Sequence, residues 1–306
     1  VLSKARRAGG EWFKIRSVRL LVGFDGSDGG RDALELARLL ATGANGSVTI
    51  ATVLFSGPLP VDLAGLDEEE AREAEPLFEQ ARSVLSDLLG EAHAFGGGSA
   101  GAILTGLAER EKFDAIVVGS PHRGAVGRVL IGSVGGSLLS GAPCDVVVAP
   151  KGYAAERHEA FRTIAVGYDG TPEAKLALRR AEALARPANA TLRILTVVAP
   201  PVVISGAAGY TPVPPPPEPD KVLNEALESV DTKLAAQGQR LDGAPASSLV
   251  KACEEDTDLL VLGSRGYGPL ARVLVGSVSR KAAQDAPCPV WVVPRPHDGE
   301  AAAGRS

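Results

Sequence analysis

The stretch Val261-Leu-Gly263-Ser-Arg-Gly266-Tyr-Gly268, continuing to Val273-Leu-Val-Gly276-Ser277-Val278, reads as the end of a buried strand, a glycine loop and the start of a helix. Gly263, Gly266 and Gly276 stand in the spacing G-x2-G-x9-G, with Ser277 next. Glycine lets the backbone take positive φ and lets a ligand approach bare N–H groups. A helix opening at Ser277 turns free N–H groups and the positive end of its dipole toward an anion. The stretch is therefore a candidate phosphate cradle, with a plain tight turn as the alternative. It is neither a G-x4-G-K-[ST] loop nor a GxGxxG dinucleotide turn.

A near-copy lies upstream, where Ile116-Val-Val-Gly119-Ser120 leads to Val129-Leu-Ile-Gly132-Ser133-Val134. Gly263 follows Gly119 by 144 residues, and Gly276 follows Gly132 by the same 144. The same offset joins Asp25 to Asp169, Gly26 to Gly170, Cys144 to Cys288 and Pro150 to Pro294. A repeat of this length is a duplicated domain rather than a solenoid unit. The expected domains are residues 17–150 and 161–295, joined by a linker over 151–160.

Composition agrees with two ordinary globular units. The chain has 306 residues, 45% hydrophobic and 23% charged, room for about two domains that each bury a core. A formal net charge of −5 offers no basic field to nucleic acid, so none is expected as partner. No apolar run approaches the roughly 18 residues of a membrane span, and the basic leader lacks an apolar signal region. The chain reads as soluble and cytoplasmic. Cys144, Cys253 and Cys288 make no CxxC and no metal spacing, so buried structural thiols are expected. Asp67 to Glu70 reads as a solvated acidic helix start, and no dedicated metal site is expected.

Strand and helix patterns alternate. Val18 to Phe24 is an apolar run ending in the turn and N-cap of Asp25-Gly26-Ser27-Asp28. Strands are expected at Ser47 to Phe55, Glu91 to Phe95, Ala115 to Gly119 and Asp145 to Ala149. Helices are expected from Ala33, around Leu77 to Leu88, at Ala102 to Arg110 and at Ser133 to Ser140. The second copy repeats the order, with a stripe of Leu223, Ala226, Leu227, Val230 and Leu234, and last strands at Asp258 to Gly263 and Pro289 to Val293. Such alternation means an α/β fold with a parallel sheet covered on both faces. With strand order 3-2-1-4-5, a ligand binds where the order reverses, between strands one and four. Asp25 and Gly119 end those strands in the first copy, Asp169 and Gly263 in the second. Pairing of the two fifth strands would cover otherwise exposed edges and make an intramolecular pseudo-dimer.

These residues resemble the universal stress protein family in its tandem two-domain form, over Val18 to Pro150 and Thr163 to Arg295. The resemblance implies two Rossmann-like, adenine nucleotide alpha hydrolase-like domains and a response to stress. Members with the glycine pattern bind ATP. By resemblance, Asp169, followed by Gly170, lies beside adenosine, and the Val197 backbone meets adenine. Gly263, Gly266, Gly276 and Ser277 hold the phosphates, with Val278 next in the helix and Ser264, Arg265 and Gly268 in the loop. The first-copy counterparts are Asp25, Val53, Gly119, Gly124, Gly132, Ser133 and Val134. Any Mg2+ would ride on the nucleotide.

The first copy departs from the pattern. His122 stands for Gly266 and Pro121 for Arg265, so it is expected to bind more weakly. No nucleophile or paired carboxylate accompanies His122, which argues against a general base. Arg272 and its counterpart Arg128 are candidate phosphate clamps, and Arg280 and Lys281 follow the helix opening. The tract Pro212 to Pro219 reads as a stiff spacer or lid. The expected function is an ATP-binding regulatory module with little turnover and the second domain as the better site. The alternatives are a weak ATPase or phosphotransferase using Arg272 and Mg2+, or a nucleotide-free protein-interaction scaffold, with a further homodimer left open.

Overall fold

The computed structural model describes residues 17–55, 68–121, 127–156, 158–199, 218–264 and 276–294. The leader, the tail, the proline tract up to Pro217, Asp67, His122, Gly124, Arg265, Gly266, Gly268 and Arg272 lie outside the described residues.

In the first copy the elements run β1 (Arg19–Gly23), α1 (Asp28–Ala44), β2 (Ser47–Phe55), α2 (Glu68–Leu85), β3 (Leu89–Gly96), α3 (Ala100–Glu111), β4 (Ala115–Gly119), α4 (Ser133–Leu139) and β5 (Asp145–Ala149). The second copy follows as β6 (Thr163–Gly167), α5 (Pro172–Ala188), β7 (Thr191–Val198), α6 (Pro219–Ser229), β8 (Ala236–Asp242), α7 (Pro245–Ala252), β9 (Leu259–Gly263), α8 (Ser277–Asp285) and β10 (Val290–Val293). All ten strands form one sheet, in the order β3-β2-β1-β4-β5-β10-β9-β6-β7-β8. Each half therefore has the expected order 3-2-1-4-5, and all its strand pairs are parallel.

The apolar runs in the strands alternate between two cores. Leu20, Val22, Ala115 and Val117 face one side, under α1, α2, α5 and α6. Leu21, Ile116 and Val118 face the other, under α3, α4, α7 and α8. Burying each such side chain stabilises by roughly 1.5–3 kcal/mol, which is why the strands read as continuous hydrophobic runs.

The halves join where expected. β5 and β10 pair antiparallel, with Val146 opposite Val292 and Val148 opposite Val290. A buried polar lock crosses this seam. Asp145 of the first copy accepts from Trp291 Nε1 at 2.7 Å and from Arg180 Nε at 3.0 Å, both in the second. Arg128 also crosses, donating to the Asp285 carbonyl at 2.8 Å and to Glu254 at 3.0 Å. The linker is organised by buried Asp32 on α1, whose carboxylate accepts from Gly152 N and Ala154 N, both at 2.8 Å.

One expectation for the second copy fails. α6 ends at Ser229, so Val230 is its extended C-cap and Leu234 lies past it. Asp231 N instead donates to Glu182 at 3.1 Å, which turns the chain out of the helix. The polar strand β8 carries little apolar periodicity, and α7 is short, with Ala246, Leu249 and Val250 buried at helical spacing; neither element is given bounds of its own by the sequence alone. All three cysteines are free and buried, and burial pushes the Cys144 thiol well above its ordinary range.

Candidate functional site

At the carboxyl ends of β1 and β4 the chain turns twice into helices, and the same happens at β6 and β9. The first turn is sealed by its own side chains. Asp25 Oδ1 accepts from Ser27 N at 3.0 Å and Ser27 Oγ at 2.5 Å, and Ser27 Oγ accepts from Gly30 N at 3.1 Å. Asp169 repeats this with Thr171, at 3.2 Å from N and 2.6 Å from Oγ1, and Thr171 caps Ala174 N. Gly26 and Gly170 carry φ of +74° and +80°, values a side chain resists, which accounts for glycine after each aspartate.

The second turn is not sealed. α4 opens at Gly132 and α8 at Gly276, and neither N-cap supplies a side-chain hydrogen bond. The first intrahelical bond of α8 is Arg280 N to Gly276 O at 3.0 Å. The N–H groups of Ser277, Val278 and Ser279 thus have no partner within the helix, as helix geometry requires. Ser279, buried in this first turn, donates from Oγ to the Gly263 carbonyl at 2.8 Å, tying α8 to the end of β9. Its counterpart in α4 is Gly135, which cannot form that tether. Ser133 and Val134 occupy the first-copy positions of Ser277 and Val278.

The glycines at the strand ends serve helix packing. A Cβ built at Gly119 would lie 1.8 Å from the Gly29 carbonyl oxygen, and one at Gly263 would lie 2.7 Å from the Glu173 carbonyl carbon. None of Gly119, Gly132, Gly263 and Gly276 has positive φ. Gly119 and Gly263 thus record how closely α1 and α5 approach the sheet, whereas a Cβ at Gly132 would meet only the Pro121 side chain, at 3.3 Å. The same contacts bring Asp25 and Gly119, and Asp169 and Gly263, to one crevice in each copy.

Val53 and Val197 are half-buried near the ends of β2 and β7. The Ala51 and Leu195 carbonyls take the last bonds from the β1 and β6 side, from Phe24 N at 3.0 Å and Tyr168 N at 2.9 Å. Strand alternation turns the backbone groups of Val53 and Val197, two residues further on, to the side where β1 and β6 have ended. Ser120 is buried and donates to the Ala149 carbonyl at 2.8 Å, while accepting from Leu130 N at 2.9 Å. Ser264 is fully buried, and its Oγ has no partner among the described residues.

One cation behaves otherwise than the sequence suggests. Arg128, read as a phosphate clamp, is committed to Asp285 and Glu254 of the other copy. Arg280 reaches to Ser140 Oγ at 3.4 Å, again across the seam. Sequence reasoning missed three features, of which the 144-residue offset flags one, Glu173, buried in the first turn of α5 where the first copy has Gly29. Thr196 matches Thr52, whose Oγ1 donates to the Phe24 carbonyl at 2.8 Å. Thr196 Oγ1 is buried without a partner among the described residues. Asp145, Arg180 and Trp291 form a lock that no periodicity announces.

The family model described as the universal stress protein family matches residues 18–150 and again 160–294. The chain belongs to the universal stress protein family. A universal stress protein of Mycolicibacterium smegmatis is 32% identical over 301 residues, 90% of this chain and 96% of that one. A universal stress protein of Thermus aquaticus is 34% identical over 148 residues, 44% of this chain and 98% of its own length, so it corresponds to one copy. The crystal structure of a universal stress protein from Archaeoglobus fulgidus shows the same fold, with a TM-score of 0.64 at 22% identity over 93% of this chain and 98% of that one. Among the described residues of this universal stress protein, no helix is long and apolar enough to cross a membrane.

Proposed function

We propose that this chain is a nucleotide-responsive regulatory module that binds ATP, and that its second copy is the better site. The observation that carries the reading is the contrast between the two helix openings on each crevice. Thr171 seals α5, whereas α8 presents three N–H groups without an intrahelical partner beside Gly263. An anion satisfies such donors and gains from the helix dipole. Asp169 and the backbone of Val197 border the same crevice and suit a nucleoside attached to that anion. Ser277 and Val278 offer amides to the phosphates, and Arg265, Gly266, Gly268 and Arg272 complete the proposed loop.

Preference for the second copy rests on α8. It is longer than α4, at nine residues against seven, and Ser279 fixes its first turn to β9. α4 begins Ser-Val-Gly-Gly, and each glycine inside a helix costs about 1 kcal/mol relative to alanine. Occupancy is proposed to act through partner binding in response to stress, with hydrolysis slow or absent and Mg2+ carried by the nucleotide. Mass spectrometry of small molecules released from the purified, denatured chain tests this. An adenine nucleotide is expected. Release of none, together with no heat of binding on titration with millimolar ATP, would overturn it.

A further inference from the structure

At the outer edge of the first copy, the strand β3 carries Glu91 and His93 two residues apart, and Glu111 closes α3 beside them. One ligand atom from each of these three side chains lies within 4.8 Å of the other two. His93 Nε2 is buried from solvent and has no hydrogen-bond partner among the described residues, although 32% of its side chain is exposed. It stands 3.2 Å from Glu91 Oε2, close enough for an ion pair but not aligned as a hydrogen bond. A buried imidazole nitrogen without a partner costs desolvation that a ligand would offset.

The internal repeat supplies an independent comparison. Strand register sets Ala51 opposite His93 and Leu195 opposite Gln239, so Gln239 is the second-copy counterpart of His93. Glu255 corresponds to Glu111, and Arg193 to Thr49. In the second copy this place already holds a cation. Arg193 donates to Gln239 Oε1 at 2.8 Å and to Thr257 Oγ1 at 3.2 Å, within an open groove that Gln237 and Glu255 also line. In the first copy Thr49 is too short to do this, and the two neutral amides give way to one carboxylate, Glu91, and one imidazole, His93, beside a glutamate present in both copies. The nearby cation, Arg19, stacks 4.7 Å over Phe113, donates to the Glu111 carbonyl at 2.5 Å and pairs with Glu111 Oε2 at 3.7 Å, an ion pair that a bound metal ion has to displace.

We propose that Glu91, His93 and Glu111 form a binding site for a first-row divalent metal ion of zinc's class. The donor set of one imidazole and two carboxylates suits such an ion. Ligand atoms on a tetrahedral zinc stand about 3.4 Å apart. The His93–Glu91 pair already has that separation, and the exposed side chain of Glu91 can rotate to bring the set together. Three protein ligands leave one coordination position open to solvent at the sheet edge. Charged side chains on an edge strand also discourage strand addition, a role that needs no metal. Uptake of the ion separates the two readings.

The test is titration of the tag-free, chelator-stripped full chain with zinc chloride, in competition with a chromophoric chelator. One tightly held equivalent is expected. His93→Ala and Glu111→Gln should each weaken it by at least the about 10–100-fold that loss of a group merely supporting a ligand costs, with the far-ultraviolet circular dichroism unchanged. Failure of the wild-type chain to compete for zinc, or wild-type affinity in either variant, would overturn the three-ligand site.

Discussion

The two crevices share an aspartate turn, a glycine-ended strand and an uncapped helix, yet they differ where a ligand would be held. In the second copy the buried Ser279 hydroxyl ties α8 to the end of β9, and Glu173 fills the first turn of α5. In the first copy the matching positions are Gly135 and Gly29. Gly29 is forced by contact, since a Cβ there would lie 2.4 Å from the Ser120 carbonyl oxygen. Nothing in the structure explains Gly135 in the same way, because a Cβ there would meet the Ile131 side chain only at 3.6 Å. The two copies thus share the frame of the crevice, while α8 is tied to the end of its strand by a serine hydroxyl and α4 has glycine at that position.

The comparison presupposes that the copies are held as one sheet, and breaking the seam should have the largest effect. Asp145→Ala leaves Arg180 and Trp291 without their shared acceptor. Because Arg180 is partly exposed, the low end of the range for a broken buried pair applies, about 3 kcal/mol, to be read from the urea midpoint. The seam also has a pH signature. Burial pushes the Asp145 carboxyl above its ordinary value, against the opposing pull of Arg180 and Trp291. The folded chain therefore keeps that proton to a higher pH than the unfolded chain. Asp145 withdraws stability as pH rises from the ordinary carboxylate range through the raised folded value. Wild type should lose stability relative to Asp145→Asn over that window, and a constant gap would contradict the burial argument.

Next come the strand-end glycines. Gly119→Ala drives a methyl into the Gly29 backbone at a separation that cannot be relaxed by a side chain, so the cost should reach or exceed about 3 kcal/mol. Gly263→Ala, with its nearest contact at 2.7 Å, should cost about 1–3 kcal/mol. Equal losses on chemical unfolding would show that the approach of α1 is no tighter than that of α5. The smallest effect separates two matched threonines. Thr52→Val removes a buried bond to the Phe24 carbonyl and should cost about 1 kcal/mol, whereas Thr196→Val removes a hydroxyl with no partner among the described residues and should be neutral or stabilising. A loss for Thr196→Val as large as for Thr52→Val would mean that its hydroxyl is bonded.

Much of this was legible in advance because it repeats. Buried runs such as Ala115 to Gly119 and Asp145 to Ala149 keep their sequence limits as β4 and β5, since a strand covered on both faces is apolar throughout. The offset that aligned Asp25 with Asp169 showed the duplication, whereas the order 3-2-1-4-5 is an expectation for a doubly wound sheet, which each half has. What the sequence hid depends on distance. β8 is mostly exposed and reads Ala-Gln-Gly-Gln-Arg-Leu-Asp, so its place is set by pairing with β7 and not by an apolar pattern. The roles of Arg128 and Arg280 depend on the facing copy, which no local window contains. Glycine spacing had two physical explanations, ligand approach and helix approach, and only the contact at Gly29 and Glu173 shows how much belongs to the second.

Gly276 is the position where these explanations part, because its φ of −63° and ψ of 160° are open to any residue. Isothermal titration of ATP into the full chain and its Gly276→Val variant therefore tests the central claim directly. The account predicts binding to the wild-type chain that weakens at least tenfold, about 1.4 kcal/mol, in Gly276→Val, with the unfolding midpoint unchanged and a smaller loss for Gly132→Val. An unresponsive wild-type chain, or undiminished affinity in Gly276→Val, would contradict it.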